Sequence, residues 1–360
     1  MEIGGFFHFP SFDCIDPKKS VFHYLINSSG KNECLFIRDG RQAIKIVLQQ
    51  IKNVQEKKCY LPAYLCHSIL QPFREMGLNI QFYDHTHPLI QNIENICDSV
   101  ILIIDYFGTE FYSTQKIKKL LAQGNYVILD ITQSILDKTR LKLCHKNLYY
   151  ISSLRKIFPI PDGAAIFHSN TILDVDMDDF TTYVPMLDAM ILKNYYINQI
   201  SDFSEIHNLD LKKLFLSQYI QYEENKDKQS IQINNIPLIS LLILSNLDYN
   251  KISERRRQNL LTIYEKNRNN ELFLFDSNDI KSPFMVPLTL QNNKKRENLK
   301  NLLIKNNIYS PIHWDIKGLV PGKFRYEHQL SSRILSITID QRYTPEDMTG
   351  ISNILNQVTI

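Results

Sequence analysis

Val100-Ile101-Leu102-Ile103-Ile104 runs directly into Asp105-Tyr106-Phe107-Gly108. Five consecutive aliphatic residues, most of them β-branched, are the pattern of a strand buried on both faces, as in the parallel sheet of an α/β protein. The flanking sequence repeats the theme. Upstream, Cys59-Tyr60-Leu61 is a short apolar run closed by Pro62, residues 68–76 predict a helix ended by Gly77, and Asn79–Tyr83 predicts a strand. Residues 41–51 put Ala43, Ile44, Ile46, Val47 and Leu48 on a broad helical face behind Gly40. Downstream, residues 113–122 predict an amphipathic helix with Gly124 just beyond it, and 126–129, 148–151 and 164–167 are further buried runs. Strand and helix at these intervals predict a three-layer α/β domain around a largely parallel sheet.

The polar decapeptide 221–230 (QYEENKDKQS) separates this part from the rest. Beyond it, residues 236–246, 250–267, 294–305 and 345–357 predict helices, and 273–275 and 333–339 short strands. That divides the chain into a large domain over residues 1–230 and a smaller α+β domain over 231–360.

With 360 residues, 44% hydrophobic and 22% charged, the chain can bury a core without staples, and 19 Phe with 19 Tyr exclude overall disorder. A formal charge of +3, with no basic block longer than Arg255-Arg256-Arg257, excludes a nucleic-acid footprint. The longest apolar run, 236–244, is broken by Pro237 and Ser240, too short to span a membrane. Glu2 stands where a secretion signal needs positive charge, so a cytoplasmic location is expected. The six cysteines form no C-x-x-C pair and no His spacing suited to zinc; reduced thiols and no metal site are expected.

Ligands of an open parallel sheet bind at the carboxyl ends of its strands. The residues there are Asp105-Tyr106-Phe107-Gly108, Asp130 with Gln133, Ser152-Ser153-Leu154-Arg155-Lys156, and Asp162-Gly163 before the last strand. Asp39-Gly40-Arg41 opens the first long helix, whose N-terminus offers N–H groups to an anion. A carboxylate, an amine and a phosphate-sized anion site together suit pyridoxal phosphate: lysine for the aldehyde, carboxylate for the ring nitrogen, helix N-terminus for the phosphate. Each residue also has a plainer reading. Asp130 can cap the turn that follows it, Lys156 can be a solvated surface charge, and Gly40 can be turn punctuation. Ser153-Leu154-Arg155-Lys156 also fits the S-x-x-K acylase pattern, but no K-T-G or S-D-N string accompanies it.

Gly40-Arg41-Gln42-Ala43-Ile44, Leu61-Pro62-Ala63-Tyr64-Leu65-Cys66, Tyr106-Phe107-Gly108, Leu129-Asp130-Ile131-Thr132-Gln133-Ser134 and Ser153-Leu154-Arg155-Lys156 with Pro161-Asp162-Gly163 follow one another in an order that resembles the DegT/DnrJ/EryC1/StrS family. Pro311-Ile312-His313-Trp314 and Ile339-Asp340-Gln341-Arg342-Tyr343 resemble a divergent branch of it. The resemblance implies a fold-type-I pyridoxal-phosphate aminotransferase acting on sugars, mostly nucleotide-linked, in polysaccharide biosynthesis. It implies Lys156 as the Schiff-base lysine and proton shuttle, Asp130 on the pyridinium nitrogen, Gln133 on the ring hydroxyl, and Ser153 with the Gly40-Arg41-Gln42 backbone on the phosphate. It further implies a homodimer with shared active sites, in which Asn234 or Asn235 reaches the partner's phosphate, and His313 facing the substrate. Three positions depart from the family. Cys66, with His67 beside it, fills the slot of the aromatic residue over the ring, Asp162-Gly163-Ala164 shortens the glycine motif, and the Asn-x-Arg motif lacks its Arg. Lys156 argues against the sugar dehydratases of the family, in which the lysine is replaced. The alternative of another class is a fold relative that has lost the cofactor and serves as a binding or scaffold protein.

Overall fold

The computed structural model describes residues 2–12, 15–93, 95–170, 185–199, 205–267 and 270–357; Cys14 lies outside them. Its strands are β1 (Ile3–Gly4), β2 (Glu33–Ile37), β3 (Lys58–Pro62), β4 (Asn79–Tyr83), β5 (His85–Thr86), β6 (Ile90–Gln91), β7 (Val100–Ile104), β8 (Tyr126–Asp130), β9 (Leu148–Ser153), β10 (Ala164–His168), β11 (Met285–Thr289), β12 (Ile308–Tyr309) and β13 (Ile334–Thr338). The helices are α1 (Val21–Ser28), α2 (Gly40–Gln50), α3 (His67–Glu75), α4 (Thr114–Ala122), α5 (Pro185–Gln199), α6 (Glu205–Lys228), α7 (Leu238–Ser245), α8 (Tyr249–Lys266), α9 (Asn293–Lys305), α10 (Arg325–Arg333) and α11 (Pro345–Leu355).

Seven strands form the central sheet in the order β2-β10-β9-β8-β7-β3-β4. β4, β3, β7, β8 and β9 are parallel, and only β10 runs against its two neighbours. Every residue of β7 and β10 is buried, as expected for strands covered on both faces. The register decides what meets at the carboxyl edge. Ile104 pairs with Asp130 and Asp130 with Ile151. Because β10 is reversed, its first residue, Ala164, lies beside Ser153 on one side and Ile37 on the other. The ends of β2, β8 and β9 and the start of β10 therefore share one edge.

The C-terminal part is built on the antiparallel pair β11 and β13. One continuous apolar core runs from Ile103 and Leu129 in the central sheet to Leu260, Ile337 and Ile351. A second cluster joins Phe7 to Met186, Ala189 and Met190 of α5 and Tyr222 of α6. Gly108 fastens the turn after β7 to the C-terminal part: at φ +82° a Cβ would stand 1.7 Å from the Ser282 carbonyl oxygen. Its own carbonyl accepts the N–H groups of Lys281 (2.9 Å) and Ser282 (3.1 Å). No other residue fits that approach.

Two sequence expectations are corrected here. Residues 273–275 do not form a strand; Phe273 makes a single bridge to Leu288 of β11. The decapeptide 221–230 is no linker, because α6 runs through it as far as Lys228. Among the described residues no helix is long and apolar enough to cross a membrane.

Candidate active site

At the shared edge lies a cavity of about 220 Å³, onto which Gly40, Arg41, Cys66, Asp130, Gln133, Ser153, Lys156 and His313 all open. Lys156 ends a single 3-10 turn (Leu154–Lys156) that follows β9 at once. The Leu154 N–H donates to Gly163 O at 2.9 Å, so the Asp162-Gly163 segment fixes the turn. The Lys156 side chain is open to the water of the cavity yet surrounded by protein. The Arg155 guanidinium beside it, with burial adding, lowers its amine to about 8. Arg155 is itself held by Glu223 of α6 at 3.0 Å.

Asp130 ends β8, and its Oδ1 accepts the Thr132 N–H at 2.9 Å. Thr132 Oγ1 in turn accepts the Ser153 N–H, also at 2.9 Å, which ties the ends of β8 and β9 together. The turn-capping and site roles of Asp130 thus coexist. Burial raises its carboxyl to about 6, against the Thr132 hydrogen bonds. Gln133 turns its side-chain oxygen to the Phe107 N–H and so braces the turn after β7.

Asp39 caps α2, its Oδ1 accepting the N–H groups of Arg41 (2.9 Å) and Gln42 (3.1 Å). The sequence assigned those amides to a phosphate; they are held by a carboxylate instead. Gln42 does not line the lysine cavity; its Oε1 accepts the Asn234 N–H at 2.9 Å. Asn234 O accepts the Arg38 N–H at 3.1 Å, and Asn235 bridges Ile37. In the single chain both asparagines secure the edge of β2 rather than the cavity of Lys156.

Cys66 precedes α3 and contacts the His67 ring, Sγ to Nδ1 4.0 Å, while the Ser68 hydroxyl donates to its sulfur at 3.2 Å. His313 donates or accepts through Nδ1 to Ser336 Oγ at 2.9 Å, and the Tyr64 hydroxyl donates to its carbonyl. Burial, with the charge of Lys156 adding, depresses its imidazole to about 3, so it is uncharged at neutral pH. Asp105 is absorbed in structure: with Arg140 it forms a buried two-point ion pair, both contacts 2.7 Å. Arg256, from the basic run 255–257, is buried as well. It donates to the carbonyls of Pro283, Phe284 and Ile157 at 3.1–3.2 Å and so holds the segments that flank Lys156.

Three charged residues around the site that escaped the sequence reading belong to α6. Glu223 pairs with Arg155, Lys226 with Asp39 (3.1 Å) and Asp162 (3.2 Å), and Asp227 with Arg41. Their spacing of three and four residues puts them on one helix face, a signal present in the decapeptide read as a separator.

Compared with solved structures, this chain is similar over 96% of its length to a DegT DnrJ EryC1 StrS aminotransferase from Brucella abortus, at 14% identity, 92% of that chain and a TM-score of 0.63. The sugar aminotransferase CalS13 from Micromonospora echinospora matches 93% of this chain over 91% of its own, at 12% identity and a TM-score of 0.60. NtdA from Bacillus subtilis, solved with bound cofactor PMP, matches 96% over 79% at 13% identity and a TM-score of 0.58. The fold is that of the DegT/DnrJ/EryC1/StrS aminotransferases. No family model and no curated protein matches the sequence.

Within this aminotransferase fold the residues present fit pyridoxal phosphate by their own chemistry. A half-buried carboxylate with a raised pKa and an amine depressed towards neutrality open on one cavity. Beside them Gly40 and Ser153 line the same cavity, and a Cβ on Gly40 would come into van der Waals contact with Ser153 Cβ at 3.4 Å, so the absence of a side chain keeps the α2 terminus open towards the end of β9.

Proposed function

We propose that this chain is a pyridoxal-5'-phosphate-dependent aminotransferase that moves an amino group from an amino acid, glutamate first among candidates, to a nucleotide-linked keto-sugar. The observation that carries this reading is the meeting of Lys156 and Asp130 on one cavity that Gly40 and Ser153 also line. When bound, the cofactor supplies an electron sink that depends on a protonated ring nitrogen. Asp130 is the carboxylate for that nitrogen, since a buried acid gains most from a cation beside it. Lys156, as the free amine, would be the residue that holds the cofactor through its aldehyde, and its Nζ can hold and move a proton. Ser153 and the Gly40 edge receive phosphate oxygens. Gln133 borders the ring position, and Cys66 stands where an aromatic neighbour would stack. His313, uncharged, borders the substrate.

A second cavity of about 440 Å³ shares Arg155, Lys156, Phe284 and His313 with the first and is also lined by Tyr309, Lys300 and Arg342. Arg342 there is held by Asp340 of the same cavity at 2.7 Å, so Lys300 with the Tyr309 ring is the part that suits an anionic, ring-bearing acceptor. A homodimer is part of the proposal. Leu209, Leu216 and Ile220 of α6, seven and four residues apart on one helix face, are 38–54% exposed, and an apolar helix face of this kind is covered in an assembly. Light scattering on the eluting protein tests it; a monomer with cofactor bound overturns it.

The alternative, a cofactor-free binding protein, has one observation in its favour: Asp39 holds the Arg41 and Gln42 amides. The visible absorption spectrum decides. A yellow band on adding pyridoxal phosphate that bleaches with glutamate and disappears in Lys156→Ala supports the aminotransferase. A colourless protein indifferent to the cofactor supports the alternative.

A further inference from the structure

Asp39 stands where an anion approaching the α2 terminus has to arrive. It lines the lysine cavity together with Gly40 and Ser153. Burial pushes its carboxyl up, but the charge of Lys226, the Gln42 amide and the hydrogen bond from Lys226 outweigh burial and hold it below the usual carboxylate range. It is therefore ionised at neutral pH. A fixed negative charge at this position opposes a second one.

Its counter-charge comes from the far end of α6. Lys226 Nζ lies 3.1 Å from Asp39 Oδ2, on the oxygen not engaged with the α2 amides. The same ammonium reaches Asp162 Oδ1 at 3.2 Å and the Tyr222 hydroxyl at 3.2 Å. Asp162 is fully buried and has a second cation, Arg38, whose Nε stands 3.3 Å from its other oxygen. The charge of Arg155 also lowers the Asp39 carboxyl, but Lys226 is the cation in direct contact with it, whereas Asp162 touches two.

We propose that Lys226 is the residue that lets the cavity edge at Gly40 and Ser153 accept a phosphate dianion: by neutralising the capping carboxylate of Asp39, it removes the charge that would repel the phosphate of the cofactor. The proposal rests on the cofactor reading above. It assigns Lys226 a positioning role through Asp39, since its ammonium hydrogens are engaged by Asp39, Asp162 and Tyr222. It also explains how an acid can stand at the mouth of an anion site: asparagine or serine caps a helix as well, but here acid and lysine occur as a pair.

The experiment compares pyridoxal phosphate with pyridoxal, which differ only in the phosphate, by absorbance and fluorescence titration of the wild type, Lys226→Met, Asp39→Asn and the double variant. Lys226→Met is expected to lose about tenfold or more in affinity for pyridoxal phosphate and to keep its affinity for pyridoxal within about twofold. In the double variant asparagine keeps the cap without the charge, and the preference for the phosphate form is expected to return to the wild-type level. Equal losses for both compounds, no loss at all, or a loss that Asp39→Asn leaves uncorrected each overturn the proposal. If Lys226→Met fails to fold, the double variant decides alone: wild-type preference supports the proposal, and its loss overturns it. A wild type that binds neither compound overturns the cofactor reading itself, an outcome distinct from all of these.

Discussion

His67 presents Nδ1 to the Cys66 sulfur at 4.0 Å and Nε2 to Asp227 at 3.2 Å. Burial raises the Cys66 thiol, but the His67 hydrogen bond, the charge of Lys156 and the Ser68 hydrogen bonds overcome it and bring the thiol to about 7. The hydrogen bond to Cys66 lifts the imidazole to about 9, against burial and with help from Asp227. Around neutral pH the imidazole is therefore largely protonated and about half of the thiol is ionised. Cys59, fully buried, is pushed up to about 11 by burial. Iodoacetamide should therefore modify Cys66 well ahead of Cys59, at a rate that rises through pH 7. His67→Ala should move that profile upwards and slow labelling at pH 7 about tenfold. Peptide mass spectrometry follows both sites, and a rate at pH 7 that ignores His67→Ala would refute the pairing.

Lys156 sits between two opposed neighbours. Arg155 lowers its amine, and Glu223 raises it. Only the neutral amine attacks a carbonyl, so capture of pyridoxal phosphate, trapped by borohydride, should accelerate as pH rises through about 8. Arg155→Met should shift the profile to higher pH and cut the rate at pH 7.5 about tenfold, while Glu223→Gln should shift it to lower pH. Shifts of the same sign in the two variants would exclude this electrostatic account.

The parts of the fold that were legible are those where burial alone sets the sequence pattern. Ile101 and Ile128 have no exposed face to satisfy, and their runs read as strands directly. β2 was not legible, because in Glu33–Ile37 only Ile37 is buried and the run has no clean alternation. β11 was hidden by Pro287, which argues against a strand but here pairs with Ser336 in a two-stranded ladder. The site divides in the same way. Asp130 and Lys156 sit at strand ends and could be found from the strands. Lys226 could not, since its partners Asp39 and Asp162 lie far away in sequence and only the folded chain joins them. Gln42 was misplaced because a helix N-terminus looks free in sequence until its cap, Asp39, is seen to hold the amides.

Asp130 should reveal itself by what it costs the protein without cofactor. Burial raises its carboxyl from 3.8 to about 6, so the folded state binds that proton more tightly than the unfolded chain. Stability from this group falls as pH rises from about 4 to 6, and the whole cost remains at pH 7. Asp130→Asn keeps the acceptor for the Thr132 N–H and removes the charge. It should stabilise the cofactor-free protein by about 1–3 kcal/mol at pH 7, with the gain vanishing below about pH 4. Urea unfolding of both proteins across this range measures it; a destabilised variant at pH 7 would contradict the burial of an ionised Asp130.

A buried charged contact adds to the ties between the two parts of the chain. Glu327 Oε1, on α10, accepts the backbone N–H of His85 at 2.6 Å and stands 2.9 Å from its Nδ1, with both side chains at most 1% exposed. On the other side of the imidazole, Nε2 lies 3.2 Å from the Tyr106 hydroxyl, in the turn after β7. Removing one partner leaves the other polar group buried without compensation, which costs far more than the pair contributes. Glu327→Ala should therefore destabilise the protein by about 3–5 kcal/mol. His85→Ala should cost a comparable amount, and the double variant less than the two together. Glu327→Gln, which keeps an oxygen for the His85 N–H, should fall between wild type and alanine. A Glu327→Ala loss under about 1 kcal/mol in urea unfolding, or strict additivity of the two alanine variants, would show that the contact does not tie the parts together.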